Sequence, residues 1–436
     1  LAGIFGFYAF GEGRENWDSK KFIYYGLSSL QGRGQEVTSF AVYDHESNLL
    51  RWVSENGLVE DVFGKIKQED VKGFLGIGQV SAYKDDYLIR VDEPVQLALA
   101  GDGKPILHEN RQISFRIFAE KLSRELDEQK DPIDAAKKLI EQTKGGYSFI
   151  ALTKDQKMIC GRDTHGIKPL EVGAIGFDIG AIASESSALD VIGAEHSGYV
   201  RPGEVVVLDP LSIVRKCPFS NKTAYCSFEY VYLARPDSYL NSIPVCKVRE
   251  MIGKRLAEEN PVKADVVIGV PDTAIPFAMA YSEHSSIPIK LGFARTGRYV
   301  RSAIKPSQFE RIIGVQLKLN PIKASIDGKE IILIDDSVVR GNTLRNTVYN
   351  IKRKGAKKVH VRIGSPPLIA QCPFGTEVPQ EDELIGRALS NDEIAEIIGA
   401  DTFAYLSIDG LIESIGLPKD SLCLGCFTGK YPEGSL

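Results

Sequence analysis

Ile331-Ile332-Leu333-Ile334-Asp335-Asp336-Ser337-Val338-Val339-Arg340-Gly341-Asn342-Thr343 decides how this chain is read. An apolar run of strand length ends in two adjacent carboxylates. A short loop follows, with one glycine and several hydroxyls, and a helix is expected from Leu344 to Lys354. Such a turn presents backbone N–H groups at a helix N-terminus, where a phosphate can sit. Paired Asp residues at the carboxyl end of the strand can hold ribose hydroxyls or face a Mg²⁺–pyrophosphate. An ordinary buried strand with an Asp N-cap needs only part of this pattern. It does not need two acids, Arg340-Gly341 and the Ser and Thr hydroxyls together.

Around this run the second half of the chain interleaves strands and helices. Val245 to Glu258 reads as a helix, Asp265 to Val270 as a buried strand ended by Pro271-Asp272-Thr273, and Val359 to Ile363 as a later strand. That order implies an open parallel α/β sheet with its ligand at the carboxyl ends of the strands. The first half reads as α+β. Gly146 to Leu152 and Glu204 to Leu208 are strands, and Phe118 to Gln129 and Ile133 to Gln142 are amphipathic helices. The expected divisions are 1–216, 217–380 and a helical tail, 381–436, packing back on the domain junction.

The 436 residues suffice for two or three domains. Lys+Arg 53 against Asp+Glu 58 is a mildly acidic balance, which argues against a nucleic-acid partner. No apolar stretch approaches the ~20 residues of a membrane span. Seven Cys, with a Cys-x-x-Cys at Cys423-Leu424-Gly425-Cys426, suit a reduced cytoplasmic setting.

The Asp335–Thr343 run resembles the phosphoribosylpyrophosphate (PRPP) motif of type I phosphoribosyltransferases. Four further stretches resemble the glutamine PRPP amidotransferase (amidophosphoribosyltransferase) family, in the family's order and spanning almost the whole chain. They are Arg162 to Leu170, Ser184 to Asp190, Phe228 to Ser238 and Cys426 to Pro432. The resemblance implies an Ntn-hydrolase-like αββα glutaminase domain followed by an α/β phosphoribosyltransferase domain with a parallel sheet. It assigns PRPP to Asp272, Thr273, Asp335, Asp336, Ser337, Val338, Val339, Arg340, Gly341, Asn342 and Thr343, with Mg²⁺ near Asp335 and Asp336. The basic segment Arg295 to Arg311 resembles the family's lid and supplies Arg298, Arg301 and Lys305 as catalytic candidates. Its Lys-Asn pair is missing, and Asp272-Thr273-Ala274 replaces the family's Asp-Ser-Gly.

The glutaminase half departs further. The family's nucleophilic Cys is here Ala2, whose methyl cannot attack an amide. Its Gly-His-x-Arg-Tyr is Gly78-Gln79-Val80-Ser81-Ala82, its Asn-Gly oxyanion element is Asp102-Gly103, and its Asp-Ser-Glu falls near Ser114-Phe115-Arg116 with no equivalent Asp. The expected activity is therefore formation of 5-phosphoribosylamine and pyrophosphate from PRPP and ammonia, in purine nucleotide biosynthesis, with an inactive glutaminase. The alternative is a PRPP- or nucleotide-sensing pseudoenzyme, or a subunit of an active amidotransferase. A transferase with a changed nucleophile ranks behind both. One branch of the family carries a [4Fe–4S] cluster on four Cys, and Cys226, Cys372, Cys423 and Cys426 match that pattern, with Zn²⁺ as the chemical alternative. The resemblance also implies a homo-oligomer, purine nucleotides as further ligands, and a separate glutaminase or active paralogue as ammonia source.

Overall fold

In the computed structural model of the chain, residues 1–65, 73–107, 111–216, 222–294 and 319–436 are described. Two antiparallel sheets fill the first half. One runs in the order Glu195–Tyr199, Glu171–Ile175, Ile179–Ala183, Ala2–Ala9, Leu75–Ser81, Val37–Asp44, Leu49–Asn56. The other runs Ile213–Lys216, Val205–Leu208, Met158–Arg162, Thr143–Thr153, Leu97–Leu107, Ile89–Val91. Their facing sides share one core, in which Gly6 stands against Ile150 and Met158, while Phe5 and Phe7 point the other way, to Gly26 and Phe22 of the Ser19–Ser29 helix. The Ser19–Ser29 helix lies on the outer face of the first sheet. The Phe115–Gln129 and Pro132–Gln142 helices lie on the second, where Phe118, Leu122 and Leu139 meet Phe149 and Ile159. This is the αββα sandwich expected from the sequence.

The second half is a parallel sheet in the order Val266–Gly269, Glu330–Asp335, Lys358–Ile363, Thr402–Tyr405. Its strands are almost continuously apolar because helices cover both faces. Residues 381–436 were expected to form a helical tail. They also supply the Thr402–Tyr405 strand, an extended β-propensity run that pairs with Lys358–Ile363.

A buried ion network joins the halves. Arg33, 1% exposed, spends all five N–H donors. Nε donates to Ala2 O (3.0 Å), Nη1 to Glu185 Oε1 (2.9 Å) and Glu229 Oε2 (2.9 Å), and Nη2 to Asp102 Oδ2 (3.1 Å) and Glu229 Oε1 (2.8 Å). Glu185 in turn accepts from Arg235 N and Ser238 Oγ. Burial works against the guanidinium's charge, but Glu229 and Asp102 outweigh it and hold its pKa well above the ordinary value.

Removing this cation would strand three buried carboxylates. Arg33→Met is expected to lower stability by about 3–5 kcal/mol in chemical denaturation at pH 7.5. Asp102 is held below its ordinary range and loses its contribution only as the pH falls through that depressed value. The deficit should therefore shrink in acid.

Candidate functional site

The Asp335–Asp336 pair sits at the carboxyl end of the sheet's second strand, where the Glu330–Asp335 hydrogen bonding stops. Asp336 N–H donates to Asp335 Oδ1 (2.9 Å), and Ser337 Oγ donates to Asp336 Oδ1 (2.6 Å). The Thr273 side chain hydrogen-bonds Asp336, so the turn after the Val266–Gly269 strand meets the acidic pair. The structure thus brings Thr273, Asp336 and Ser337 together. Gly341 is the N-cap of the Asn342–Arg353 helix at φ 74°, a left-handed conformation that suits glycine. A Cβ there would also stand 2.9 Å from Ile385 Cδ1. The helix opens two residues earlier than its periodicity suggested, and its first turn leaves free N–H groups beside the loop. Arg340 does not reach toward the acids but pairs with Glu383, and Ile385 N–H donates to Val339 O (3.1 Å). Arg298, Arg301 and Lys305 lie outside the described residues.

Burial raises both acids. Asp336, 9% exposed, is pushed up to about 6 by desolvation, with Ser337 and the buried Arg249 opposing the rise. Asp335 moves the same way, from burial and then from its neighbour's charge. Two carboxylates without a paired cation in contact among the described residues are poised to receive one, or to accept hydroxyl donors.

The positions that the resemblance matched to the family's glutaminase centre are bonded within the chain. Ala2 N–H donates to Asp102 Oδ1 (2.8 Å). Lys168 Nζ stands 3.9 Å from Asp102 Oδ2 and 3.4 Å from Thr376 Oγ1. Burial alone would raise Asp102, but Lys168 and Arg33 hold it below the usual carboxylate range. Gln79 ties the two sheets together, its Oε1 accepting from Gly101 N–H (3.0 Å) and its Nε2 donating to Asp86 O (3.1 Å). Ser81 donates to Asp86 Oδ2 (2.6 Å), and Ser114 caps the Phe115–Gln129 helix. Sequence reasoning noted Asp102 and missed Arg33 and Lys168. Lys168 lies inside the Arg162–Leu170 run and Arg33 in none of the family-like runs, and only the fold carries them to Asp102.

The four cysteines converge without forming a ready ligand set. Cys226 and Cys423 are register partners in a short parallel pair. Cys426 O accepts from Ile369 N–H (2.9 Å) and Ala370 N–H (3.2 Å), just before Cys372. Cys226, Cys372 and Cys423 pack with Ile167, Ala224, Phe374 and Tyr431. Burial first, and the neighbouring thiols in addition, push Cys226 up to about 12 and raise Cys423 and Cys426 as well. Among the described residues no three His, Cys, Asp or Glu side chains are grouped to hold a metal.

Because the folded pKa of Asp336 is raised, its charge costs stability as the pH rises from about 4 through about 6. Asp336→Asn should therefore raise the melting temperature at pH 7.5 by about 2–4 °C, a gain that vanishes near pH 4. The same variant should bind Mg²⁺–PRPP at least about tenfold more weakly by calorimetry.

The family model described as "Phosphoribosyl transferase domain" matches residues 239–363. The amidophosphoribosyltransferase of Methanocaldococcus jannaschii is 37% identical over 471 aligned residues, covering 99% of this chain and 98% of that protein. That of Bacillus subtilis is 36% identical over 459, covering 99% and 94%. Among solved structures, the B. subtilis glutamine PRPP amidotransferase complexed with ADP and GMP superposes with a TM-score of 0.84 at 34% identity, covering 99% of this chain and 97% of that one. With a sandwich of two antiparallel sheets, a parallel sheet ending in Asp335-Asp336, and relatives of this identity over nearly their full length, the chain belongs to the amidophosphoribosyltransferase family.

Proposed function

We propose that this chain forms 5-phosphoribosylamine and pyrophosphate from PRPP with ammonia it does not make itself. The observation that carries the reading is the fate of Asp102. Acyl transfer from glutamine needs a nucleophile and neutral donors aimed at a developing oxyanion. Here a methyl stands at the nucleophile's place, and an ionised carboxylate, gripped by Arg33 and Lys168, at the donor's. Losing one oxyanion donor costs roughly 10²–10³ in rate. A fixed negative charge there opposes the reaction as well.

The transferase end keeps groups suited to its work. Asp335 and Asp336 would hold the ribose hydroxyls and face Mg²⁺. The Ser337–Thr343 turn would receive the 5′-phosphate on backbone N–H groups, and Asp272 and Thr273 would approach the pyrophosphate. Bound Mg²⁺ would neutralise charge on the departing pyrophosphate. Arg298, Arg301 and Lys305, outside the described residues, would supply cations that suit the departing pyrophosphate. Purine nucleotides are further candidate ligands, since the B. subtilis relative was crystallised with ADP and GMP. The second reading, a sensing subunit without turnover, draws on the same filled glutaminase centre and on the altered Asp272-Thr273-Ala274 turn.

Pyrophosphate release from Mg²⁺–PRPP separates the two. Release with ammonium but not with glutamine, abolished in Asp336→Asn, is the expected outcome. Release with glutamine alone would overturn the lost glutaminase, and silence with PRPP still bound would favour the sensor.

For the cysteines we propose a structural [4Fe–4S] cluster on Cys226, Cys372, Cys423 and Cys426. Cys226, Cys372 and Cys423 share one apolar cluster with Cys426 beside it, a set that suits iron and sulfide, and burial disfavours the thiolates of Cys226, Cys423 and Cys426 unless cations are present. The group would tie the C-terminal segment to the domain junction. Anaerobic reconstitution should give a broad absorbance near 400 nm and about four irons per chain, with the Cys372→Ser variant holding less. Stoichiometric Zn²⁺ uptake without a chromophore would replace the cluster with zinc.

A further inference from the structure

Ser148 Oγ is fully buried and has no hydrogen-bond partner among the described residues. Strand register fixes what surrounds it. Ser148 stands opposite Asp102 on one side and opposite Arg162 on the other, across three adjacent strands of the second sheet. Residues directly opposite share a face, with Cβ atoms about 4.5–5.5 Å apart. Ile150, two residues on, shares that face, and a Cβ placed on Gly6 of the first sheet would stand 3.3 Å from its Cγ2. Ser148 therefore points between the two sheets, beside the Asp102 carboxylate.

Lys168 crosses the same place. Arg162 Nε donates to Lys168 O, which holds the backbone end of this residue on one side of Ser148. Its Nζ lies on the other side, 3.9 Å from Asp102 Oδ2. The one hydrogen bond of that ammonium among the described residues goes to Thr376 Oγ1 at 3.4 Å. Charge-assisted N–H···O bonds ordinarily measure about 2.7–2.9 Å. Both contacts are long for a fully buried group with three donors. Asp102 also has lone pairs to spare. Ala2 N–H takes one on Oδ1 and Arg33 Nη2 one on Oδ2, of about four that an ionised carboxylate offers. An unpartnered hydroxyl, an under-used ammonium and an under-used carboxylate thus meet in one dry place. A polar contact longer than about 3.5 Å between such groups is where a bridging water belongs.

We propose that one internal water molecule bridges Ser148 Oγ, Lys168 Nζ and Asp102 Oδ2. It accepts from the Lys168 ammonium and the Ser148 hydroxyl and donates to the Asp102 carboxylate. The three groups select the occupant. A metal ion would face the cations Arg33 and Lys168, and an anion would face Asp102. Ammonia has one lone pair and could accept from only one of the two donors. Water has two lone pairs and two hydrogens, and about three partners is its usual number inside a protein. It completes the bonding around Asp102 and keeps Lys168 next to it without direct contact. The inference concerns this centre alone and holds or fails whether or not the chain transfers ammonia to PRPP.

The test is a crystal structure of the full chain, from crystals grown without ammonium salts, together with the melting temperature of Ser148→Ala. Density for one water within about 2.6–3.2 Å of all three atoms is expected. The variant should melt about 2–4 °C lower, because a bonded hydroxyl has gone. Absence of that density would overturn the inference. So would density that touches Lys168 and Asp102 but not Ser148, or a Ser148 hydroxyl bonded directly to the chain. A melting temperature that holds or rises in Ser148→Ala would overturn it as well, since that is what removal of an unpartnered hydroxyl gives.

Discussion

The Arg33 guanidinium is the constraint on which the rest of the architecture depends. Taking an ion out of water costs several kcal/mol after relaxation, and only good geometry with every donor used offsets it. Arg33 meets that condition by touching four segments at once: the Ala2 strand and Asp102 from the two sheets, Glu185 from the turn before the Ser186–Val191 helix, and Glu229 from the connection into the second domain. None of these can shift far without leaving a charge unpaired in a dry interior. Further bonds cross between sandwich and transferase beside it, from Asn241 N–H to Glu171 Oε1 and from Tyr239 N–H to Ser186 Oγ. Arg162 works similarly nearby, spending its donors on Lys168 O, Val200 O, Asn241 Oδ1 and Gly166 O.

The two ends of the molecule differ in how far their polar groups are satisfied. At the glutaminase position Asp102, Gln79 and Ser81 are all bonded to the chain itself, and Asp102 is held ionised by cations that are equally buried. At the transferase end the reverse holds. Burial lifts the pKa of both Asp335 and Asp336, the charge of Asp336 adding to the rise at Asp335, and the Ser365 and Tyr405 hydroxyls are unpartnered among the described residues. Polar groups left wanting are where a ligand gains most by binding.

Much of this was legible in the sequence because it is local. The strand that ends in Asp335-Asp336, the glycine that opens the following helix and the alternation of strands and helices are short-range patterns, and the structure keeps them. Other features are long-range and carry no local mark. Arg33 reaches partners 152 and 196 residues away, and nothing in Leu30-Gln31-Gly32-Arg33 announces it. The Thr402–Tyr405 strand is too short to stand out between helices, and it forms because the Lys358–Ile363 edge offers it hydrogen bonds. Read alone, Asp102 suggested only repulsion of an oxyanion. Its stable ionisation becomes intelligible once Lys168 and Arg33 stand beside it. Ser365 sits in an unremarkable Gly-Ser-Pro-Pro turn, and only the lack of a partner singles it out.

A continuous line of contacts runs from the filled centre to the acidic pair. Ala2 binds Asp102, Asp102 binds Arg33, and Arg33 binds Glu229. The Glu229–Leu233 turn and its cap then present Tyr230 O and Ala234 O to Arg249 Nε (3.0 Å) and Nη2 (2.7 Å). Burial lowers Arg249 to about 10, and the charge of Asp336 works against that lowering. Contiguity alone does not make such a line a signal, because coupling needs an element with two arrangements that both ends can bias. Here the first half of the line has one arrangement, with every donor of Arg33 committed and no reacting group at Ala2 to change state. The last link, between Arg249 and Asp336, involves a group whose charge lies within reach of neutral pH. The line therefore acts as a rigid base. It fixes Arg249 so that its field falls on Asp336 and favours the ionised carboxylate, which is the form that can receive a cation or a ribose hydroxyl.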